Sequence, residues 1–294
     1  MDGISALIER NEIYEIAAPV GQTVAGIFAS PHSGTDYRAE FLEQTRLDQV
    51  TLRRSEDAFV DELFQAAPQH GAPLLKALFP RAYVDPNREP WELDAAMFSE
   101  PLPAYVNSRS PRVAAGLGTI ARVVANGEEI YARKLDFADA AGRIERCYKP
   151  YHAALRRLID LTCERFGWSF LIDCHSMPSV GGPMDRDPGM RRVDFVLGDC
   201  HGASCGPALI DTVEAYLTGL GYVVTRNLPY AGGYVTRHYG RPERGVHVLQ
   251  IEVNRALYMD EERVERRPRL NRLAAEMEGL ITVLAELDGA EMAA

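Results

Sequence analysis

The sequence predicts an α/β protein built on a largely parallel sheet, and three observations carry that expectation. Short apolar runs at 23–29, 168–172, 193–197 and 246–254 alternate with longer stretches of helical periodicity. Two of those runs stop abruptly in polar clusters that hold a histidine, Ser30-Pro31-His32-Ser33-Gly34 and Asp173-Cys174-His175-Ser176. In open α/β sheets the ligand sits in the crevice beyond the carboxyl ends of the strands. With 294 residues, 46% of them hydrophobic, the chain is also long enough to cover both faces of such a sheet.

Taken in order, 23–29 reads as a central strand punctuated by Pro31, with Gly34 freeing the loop that follows. Helices are expected at 37–47 and at 52–66. The second has Ser55 as its N-cap and Phe59, Val60, Leu63 and Phe64 as its apolar stripe. The segment 73–79 is apolar and runs into a proline-broken loop at 80–90. A Gly/Ala/Val-rich strand is expected near 113–125, strand or loop at 130–135, and helix over most of 139–166 with an interruption at Pro150. After the strand through Leu171 and Ile172, 178–190 reads as loop, 193–197 as strand, 206–220 as an amphipathic helix and 221–225 as strand. Residues 227–241 read as a polar loop, 246–254 as the last clear strand, 260–287 as one or two closing helices and 290–294 as a frayed end.

Composition excludes some functions. The net charge of −10 argues against nucleic acid or an anionic membrane as the main partner, while leaving room for a basic pocket and a small anionic substrate. No stretch approaches the roughly 18 apolar residues of a membrane span, and residues 1–14 lack an apolar signal core. Five cysteines without a CxxC pair fit free thiols and a cytoplasmic setting. Gly202-Ala203-Ser204-Cys205-Gly206 fits GxSxG, but residues 198–201 separate it from the strand, so a glycine-rich turn before a helix is the simpler reading. Gly116-Leu117-Gly118-Thr119-Ile120-Ala121 fits GxGxxA without a clear strand before it.

The chemistry concentrates elsewhere. Histidine is the commonest metal ligand, and His32 and His175 are both placed at strand ends. Asp57 is a candidate carboxylate ligand; a solvated acid near a helix N-terminus is the alternative. Glu252 lies between Ile251 and Val253 in an apolar strand. A carboxylate there must be paired, hydrogen-bonded or functional, and a general base is the functional reading. Arg81, Asn87 and Arg88 would make a carboxylate clamp, although surface arginines neutralised by Asp85 and Glu89 explain the same pattern. The 227–241 loop has three glycines, three tyrosines, a histidine and two arginines, a mixture that loops on a rigid scaffold use for binding.

Together Ser30-Pro31-His32-Ser33-Gly34, Val84-Asp85-Pro86-Asn87-Arg88, Asp173-Cys174-His175-Ser176-Met177 and Val248-Leu249-Gln250-Ile251-Glu252-Val253-Asn254-Arg255 resemble the N-formylglutamate amidohydrolase family. The loop from Asn227 through Tyr234 to His238 and Arg241 is similar to that family too. The resemblance implies a single domain over 1–294, a three-layer α/β/α architecture with a mixed, mostly parallel sheet, related to zinc carboxypeptidases and to aspartoacylase (phosphorylase/hydrolase-like). It implies one Zn2+ per chain on His32, His175 and a carboxylate. Relatives place a Glu three residues after the first histidine, where this chain has Thr35. Asp57 is the expected third ligand, because the segment from Asp57 to Phe64 resembles an acidic helix of that family, with Asp61, Glu56 and Asp36 as competitors. Glu252 is implied as the base, Asp173 as the group that orients a ligand, and Arg81, Asn87, Arg88, Tyr234, His238 and Arg241 as substrate contacts, although Pro86 stands where a Leu is usual. The implied activity is hydrolysis of an N-acyl amino acid, here N-formyl-L-glutamate in histidine degradation, by a chain that can be a homo-oligomer. A deacylase of another N-acyl amino acid, a small-peptide carboxypeptidase and a catalytically silent binding protein are the alternatives.

Overall fold

The computed structural model describes residues 9–124, 127–183, 185 and 187–292. Expectations that fall on 1–8, Ala125, Met184, Arg186, Ala293 and Ala294 lie outside the described residues. The frame is a mixed sheet of β1 (Glu9–Arg10), β2 (Tyr14–Ala17), β3 (Gly26–Ser30), β4 (Leu74–Ala77), β5 (Ser169–Met177), β6 (Phe195–Gly198), β7 (Val224–Arg226) and β8 (Val246–Asn254). Their order across the sheet is β1-β2-β4-β3-β5-β8-β6-β7. The central strands β4, β3, β5 and β8 run parallel, and β6 returns antiparallel to β8. A small antiparallel pair, β9 (Met259–Asp260) with β10 (Glu265–Arg266), stands apart.

Both faces of the sheet are covered, which is why the central strands read as continuous apolar runs. Successive residues alternate between two cores, as the pleat requires. Ile27, Ala29, Leu171 and Val248 point into one, and Phe28, Phe170, Ile172 and Leu249 into the other. The first core is closed by α6 (Lys149–Phe166), whose Tyr151, Leu155, Leu158 and Ile159 are fully buried. That helix stops at Gly167 in the left-handed conformation (φ +81°), whose N–H returns to the Cys163 carbonyl at 2.8 Å. The second core is closed by α7 (Pro207–Gly219) and α9 (Arg269–Leu284), with Leu209, Val213 and Leu217 on one and Leu273, Met277, Leu280 and Leu284 on the other.

Several local expectations need correction. The segment 37–47 holds only the short α1 (Ala39–Leu42). The helix expected at 52–66 is two, α2 (Gln49–Arg53) and α3 (Val60–Leu63). Asp48, not Ser55, caps α2 by accepting from the Thr51 N–H, and Phe59 at φ +66° turns the chain between the two. Residues 113–124 form no strand: α4 (Pro111–Ala114) and turns occupy them, because Gly116 at φ +76° ends any regular run. The helical run changes just before Pro150, near the expected interruption: α5 (Phe137–Arg143) leads through a widened turn at Ile144–Tyr148 into α6, with Pro150 in its first turn. The 227–241 loop contains α8 (Tyr234–Tyr239). Residues 289–292 form α10 (Gly289–Met292) rather than fraying. β5 continues to Met177, so Asp173 and His175 are strand residues and not part of a loop.

Gly34 shows how tightly the loop after β3 is seated. A Cβ there would lie 2.2 Å from the Phe79 carbonyl oxygen and 2.7 Å from that of Leu78, backbone that cannot yield. Gly34→Ala is expected to destabilise the fold by about 1–3 kcal/mol; equilibrium denaturation measures it, and an unchanged midpoint would show the loop to be loosely held.

Candidate metal centre

The strand ends deliver the groups. His32 lies two residues beyond β3, and in the adjacent β5 Asp173 and His175 are two apart, so they share a face. In β8, Gln250 and Glu252 are the register partners of Asp173 and His175. Asp57 is brought in from the link between α2 and α3. Its N–H donates to the His32 carbonyl at 3.0 Å, and the Ser33 hydroxyl donates to the Asp57 carbonyl at 3.1 Å.

His32, Asp57 and His175 converge in the interior, each 2% exposed or less. Asp57 Oδ2 is 3.1 Å from His32 Nδ1 and 2.9 Å from His175 Nδ1. The far nitrogens also face carboxylates: His32 Nε2 is 2.7 Å from Asp85 Oδ1, and His175 Nε2 is 3.0 Å from Asp173 Oδ2. A neutral imidazole carries a single N–H. If each Nε2–H donates outward, both Nδ1 lone pairs and the Asp57 oxygen point at one another, and they repel unless a cation lies between them. Two imidazoles with outward N–H groups on carboxylates and one shared carboxylate are the donor set of a divalent metal such as zinc. The ligand atoms lie within 4.8 Å of one another, so these residues fit a metal ion.

The charge count agrees. Asp57, Asp85, Asp173 and Glu252 face Arg81, Arg88 and Arg255, which leaves one negative charge uncompensated when the histidines are neutral. Arg255 donates from Nη2 to Asp57 Oδ1 at 2.9 Å, from Nε to Ser176 Oγ at 3.0 Å and from Nη1 to the Arg54 carbonyl at 3.0 Å. Arg81 donates to Asp85 Oδ2 at 2.8 Å and approaches Asp57 Oδ1 to 3.7 Å. Burial opposes charge on Asp57, yet the two imidazoles and Arg81 hold its carboxyl well below the usual range. Burial likewise opposes charge on Asp85, and His32, Arg81 and Arg88 overcome it. Glu252 differs. Its surroundings bury it without a full countercharge, and burial pushes its carboxyl up to about 7, against the pull of His175. Gln250 donates to Glu252 Oε1 at 2.8 Å and fixes its direction.

Of the competing carboxylates, none joins the two imidazoles. Glu56 is held by the Tyr37 hydroxyl (2.7 Å) and Arg53, Asp36 is exposed beside Arg38, and Asp61 donates from its backbone N–H to Ser33 Oγ at 3.2 Å. Asn87 Nδ2 donates to Asp173 Oδ2 at 3.1 Å, and its Oδ1 accepts from the Val235 N–H at 2.8 Å, tying the 85–88 loop to α8. Arg81 and Arg88 do contact Asp85, but at 20% and 14% side-chain exposure they are not surface residues. Tyr234 and His238 stack on each other (4.7 Å) at the outer side of α8. Arg241 is exposed and caps the end of α8 through the Arg237 and Gly240 carbonyls. Ser204 is buried with its hydroxyl on the Val248 carbonyl, a structural contact. All five cysteines are free.

Reading the sequence missed Asp85, Gln250, Arg255 and His152. Asp85 and Arg255 stand inside the motifs quoted above, and Gln250 is two residues from Glu252 on the same face; those were the available signals. His152 had none. It lies on α6, donates from Nε2 to the Pro86 carbonyl at 2.8 Å and accepts at Nδ1 from the Tyr239 hydroxyl at 2.8 Å. It thereby locks the 85–88 loop between two helices.

Comparison with known proteins places this arrangement. The profile of the N-formylglutamate amidohydrolase family matches residues 24–259. An N-formylglutamate deformylase of Pseudomonas putida is 30% identical over 241 residues, covering 80% of this chain and 82% of that one. Its counterpart in Pseudomonas aeruginosa is 28% identical over 240 residues with the same coverage. The crystal structure of an N-formylglutamate amidohydrolase from Ralstonia eutropha JMP134 superimposes with a TM-score of 0.86 at 37% identity, over 94% of this chain and 98% of that one. A gene product of Agrobacterium tumefaciens shares the fold at a TM-score of 0.67 and 17% identity, over 92% of this chain and 94% of that one.

His152 yields a stability prediction. Burial holds its imidazole down at about 4, below the ordinary 6.5, so it is neutral when folded. The unfolded chain takes up a proton at higher pH than the folded one. The stabilisation is therefore complete above pH 6.5 and is lost as pH falls toward about 4, at no more than about 1.4 kcal/mol per pH unit. Urea unfolding of metal-stripped protein at pH 7.5 and 5.0 is expected to show this loss, and a smaller one in His152→Gln. Equal losses in both proteins would assign the acid lability to other groups.

Proposed function

The chain belongs to the N-formylglutamate amidohydrolase family, and from that premise we propose that it hydrolyses N-formyl-L-glutamate to formate and L-glutamate. The observation that carries the mechanism is the convergence of both imidazoles on one oxygen of Asp57, one strand away from a buried glutamate. His32 Nδ1, His175 Nδ1 and Asp57 Oδ2 would hold one zinc ion. When bound, the metal supplies Lewis acidity toward the formyl carbonyl and toward an attacking water. Asp85 and Asp173 orient the two histidines through their Nε2–H groups.

The protein's own residues carry the proton and the charge. Glu252, in its ionised form, takes a proton from the water as the oxygen attacks the formyl carbon. It then gives that proton to the glutamate nitrogen as the C–N bond breaks, so one water is consumed and two products leave. A buried carboxylate with few countercharges is a stronger base than an exposed one, which suits this task. Arg81, already next to Asp57 and Asp85, is placed to stabilise negative charge on the former carbonyl oxygen. Asn87 and Arg88 bind a substrate carboxylate, and Tyr234 with His238 flank the entrance. In this reading the enzyme works in the cytoplasm with reduced thiols and serves as the last step of histidine degradation. Among the described residues no helix is long and apolar enough to cross a membrane.

The test is formate release from N-formyl-L-glutamate. Chelation should abolish turnover and zinc should restore it. Glu252→Gln should lower kcat by roughly 100- to 10,000-fold while binding zinc as the wild type does. Turnover of a different N-acyl amino acid instead would keep the chemistry and replace the substrate. Zinc-loaded, folded protein that releases nothing from any N-acyl amino acid would refute the enzyme reading.

A further inference from the structure

The cluster described so far neutralises Arg81 and Arg255 with carboxylates. A second set of arginines is only partly neutralised. Arg88 stands at the limit of ion-pair range from Asp85, with 3.9 Å between its Nε and the nearest Asp85 oxygen. It donates instead to two carbonyls, Leu117 from Nε at 2.9 Å and Asn87 from Nη1 at 3.0 Å. Nη2 is left without a partner among the described residues. The Leu117 carbonyl belongs to the turn after α4, closed by the Leu117 N–H on the Arg112 carbonyl at 2.8 Å. Arg112 thus belongs to the turn on which Arg88 is fastened. Arg112 is half-buried, and among the described residues its guanidinium makes no hydrogen bond and no ion pair.

A third arginine arrives from the opposite side. α8 is docked on Asn87, whose carbonyl accepts from the Tyr234 N–H at 3.3 Å and whose Oδ1 accepts from the Val235 N–H. Arg237 stands on that helix, and its charge is felt at both Arg88 and Arg112. Arg237 is exposed and uses Nη1 on the Gly232 carbonyl at 3.0 Å; among the described residues its other donors have no partner. The crowding is felt electrostatically. Burial, then the repulsion of Arg88 and Arg237, pulls Arg112 down to about 9, with Glu92 and Asp85 too weak to offset it. Arg88 is itself lowered, by burial first; Asp85 opposes this, while Arg81 and Arg237 add to it. A guanidinium kept off its counterions in a half-buried site is destabilising unless an anion completes it.

We infer that Arg112, together with Arg88 and Arg237, seats the side-chain carboxylate of the substrate, and that Arg112 is the residue which selects an acidic amino acid over its neutral isostere. The inference rests on the reading of this site as an N-acyl amino acid hydrolase and deepens it. A guanidinium grips a carboxylate through two parallel hydrogen bonds, and a carboxamide in the same seat would leave donors facing donors. The seat lies on the Asn87–Arg88 side of the metal centre, so the amide carbon and the side-chain carboxylate occupy opposite ends of one extended ligand.

The experiment compares N-formyl-L-glutamate with N-formyl-L-glutamine in the wild type, Arg112→Met and Arg112→Lys. Binding of L-glutamate and L-glutamine is measured by calorimetry on the same proteins. The wild type should prefer the acidic substrate. Arg112→Met should reduce that preference roughly 10- to 100-fold, chiefly through KM, and should lose a matching share of the glutamate-over-glutamine binding preference. Arg112→Lys should recover part of both. An unchanged preference in Arg112→Met, in turnover and in binding, would overturn the inference. Equal losses for the two substrates would do so too, since they would mark a purely structural role. If the wild type hydrolyses neither substrate, the hydrolase reading fails; the subsite is then judged by calorimetry alone, where the same collapse supports it and its absence overturns it.

Discussion

One carboxylate oxygen, Asp57 Oδ2, is asked to face two imidazole nitrogens at once, in a place almost closed to solvent. Such an oxygen is tolerable in the interior only if positive charge lies beside it. The surroundings are arranged to that end. Arg255 takes the other oxygen of Asp57, Asp85 and Asp173 take the outer nitrogens of the histidines, and Asn87 braces Asp173. Arg255 also holds the Arg54 carbonyl, Asp85 the Asn87 N–H and Asn87 the Val235 N–H, which ties the centre to the scaffold. The centre is therefore stiff, and its geometry is inherited from the sheet.

That inheritance explains why the parallel core matters. β3, β5 and β8 lie side by side, and pairing of Ala29 with Asp173 and of His175 with Glu252 fixes which side chains share a face. A slip of one residue between β5 and β8 would turn Glu252 away from His175 and into the opposite core. The apolar residues that alternate with the functional ones, Ile172 and Cys174 in β5 and Leu249 and Ile251 in β8, are fully buried on the other face and forbid that slip. Stability of the fold and alignment of the base with the metal centre thus have a common origin in the pleat.

Much of this was legible in the sequence, and the failures have physical reasons. The central strands, the paired histidines and the buried Glu252 announce themselves because a polar residue inside an apolar run is costly and local. Asp57 was identifiable as a ligand candidate but misplaced in a helix; the apolar spacing of Phe59 to Phe64 is helical, and only the left-handed Phe59 breaks it. A bulky residue in that conformation is held by tertiary packing and leaves no trace in composition. The strand expected around Gly116 failed because its glycines serve turns and a close approach, Gly118 lying against the Glu92 carbonyl. His152 and Arg112 were invisible for a different reason. Each acts across the fold, on a loop 66 residues away in the first case, and no spacing in the chain encodes such a contact.

The most direct test of the account is metal stoichiometry in Asp57→Asn, measured beside wild type and Asp173→Asn. The wild type should bind one zinc per chain. Asp173→Asn should bind it more weakly, by the roughly 10- to 100-fold that a supporting outer residue supplies. Asp57→Asn, which keeps the shape and removes the charge, should lose far more than that. If Asp57→Asn binds zinc as tightly as the wild type, the shared carboxylate oxygen is not the seat of the metal, and the centre must be rebuilt around another ligand.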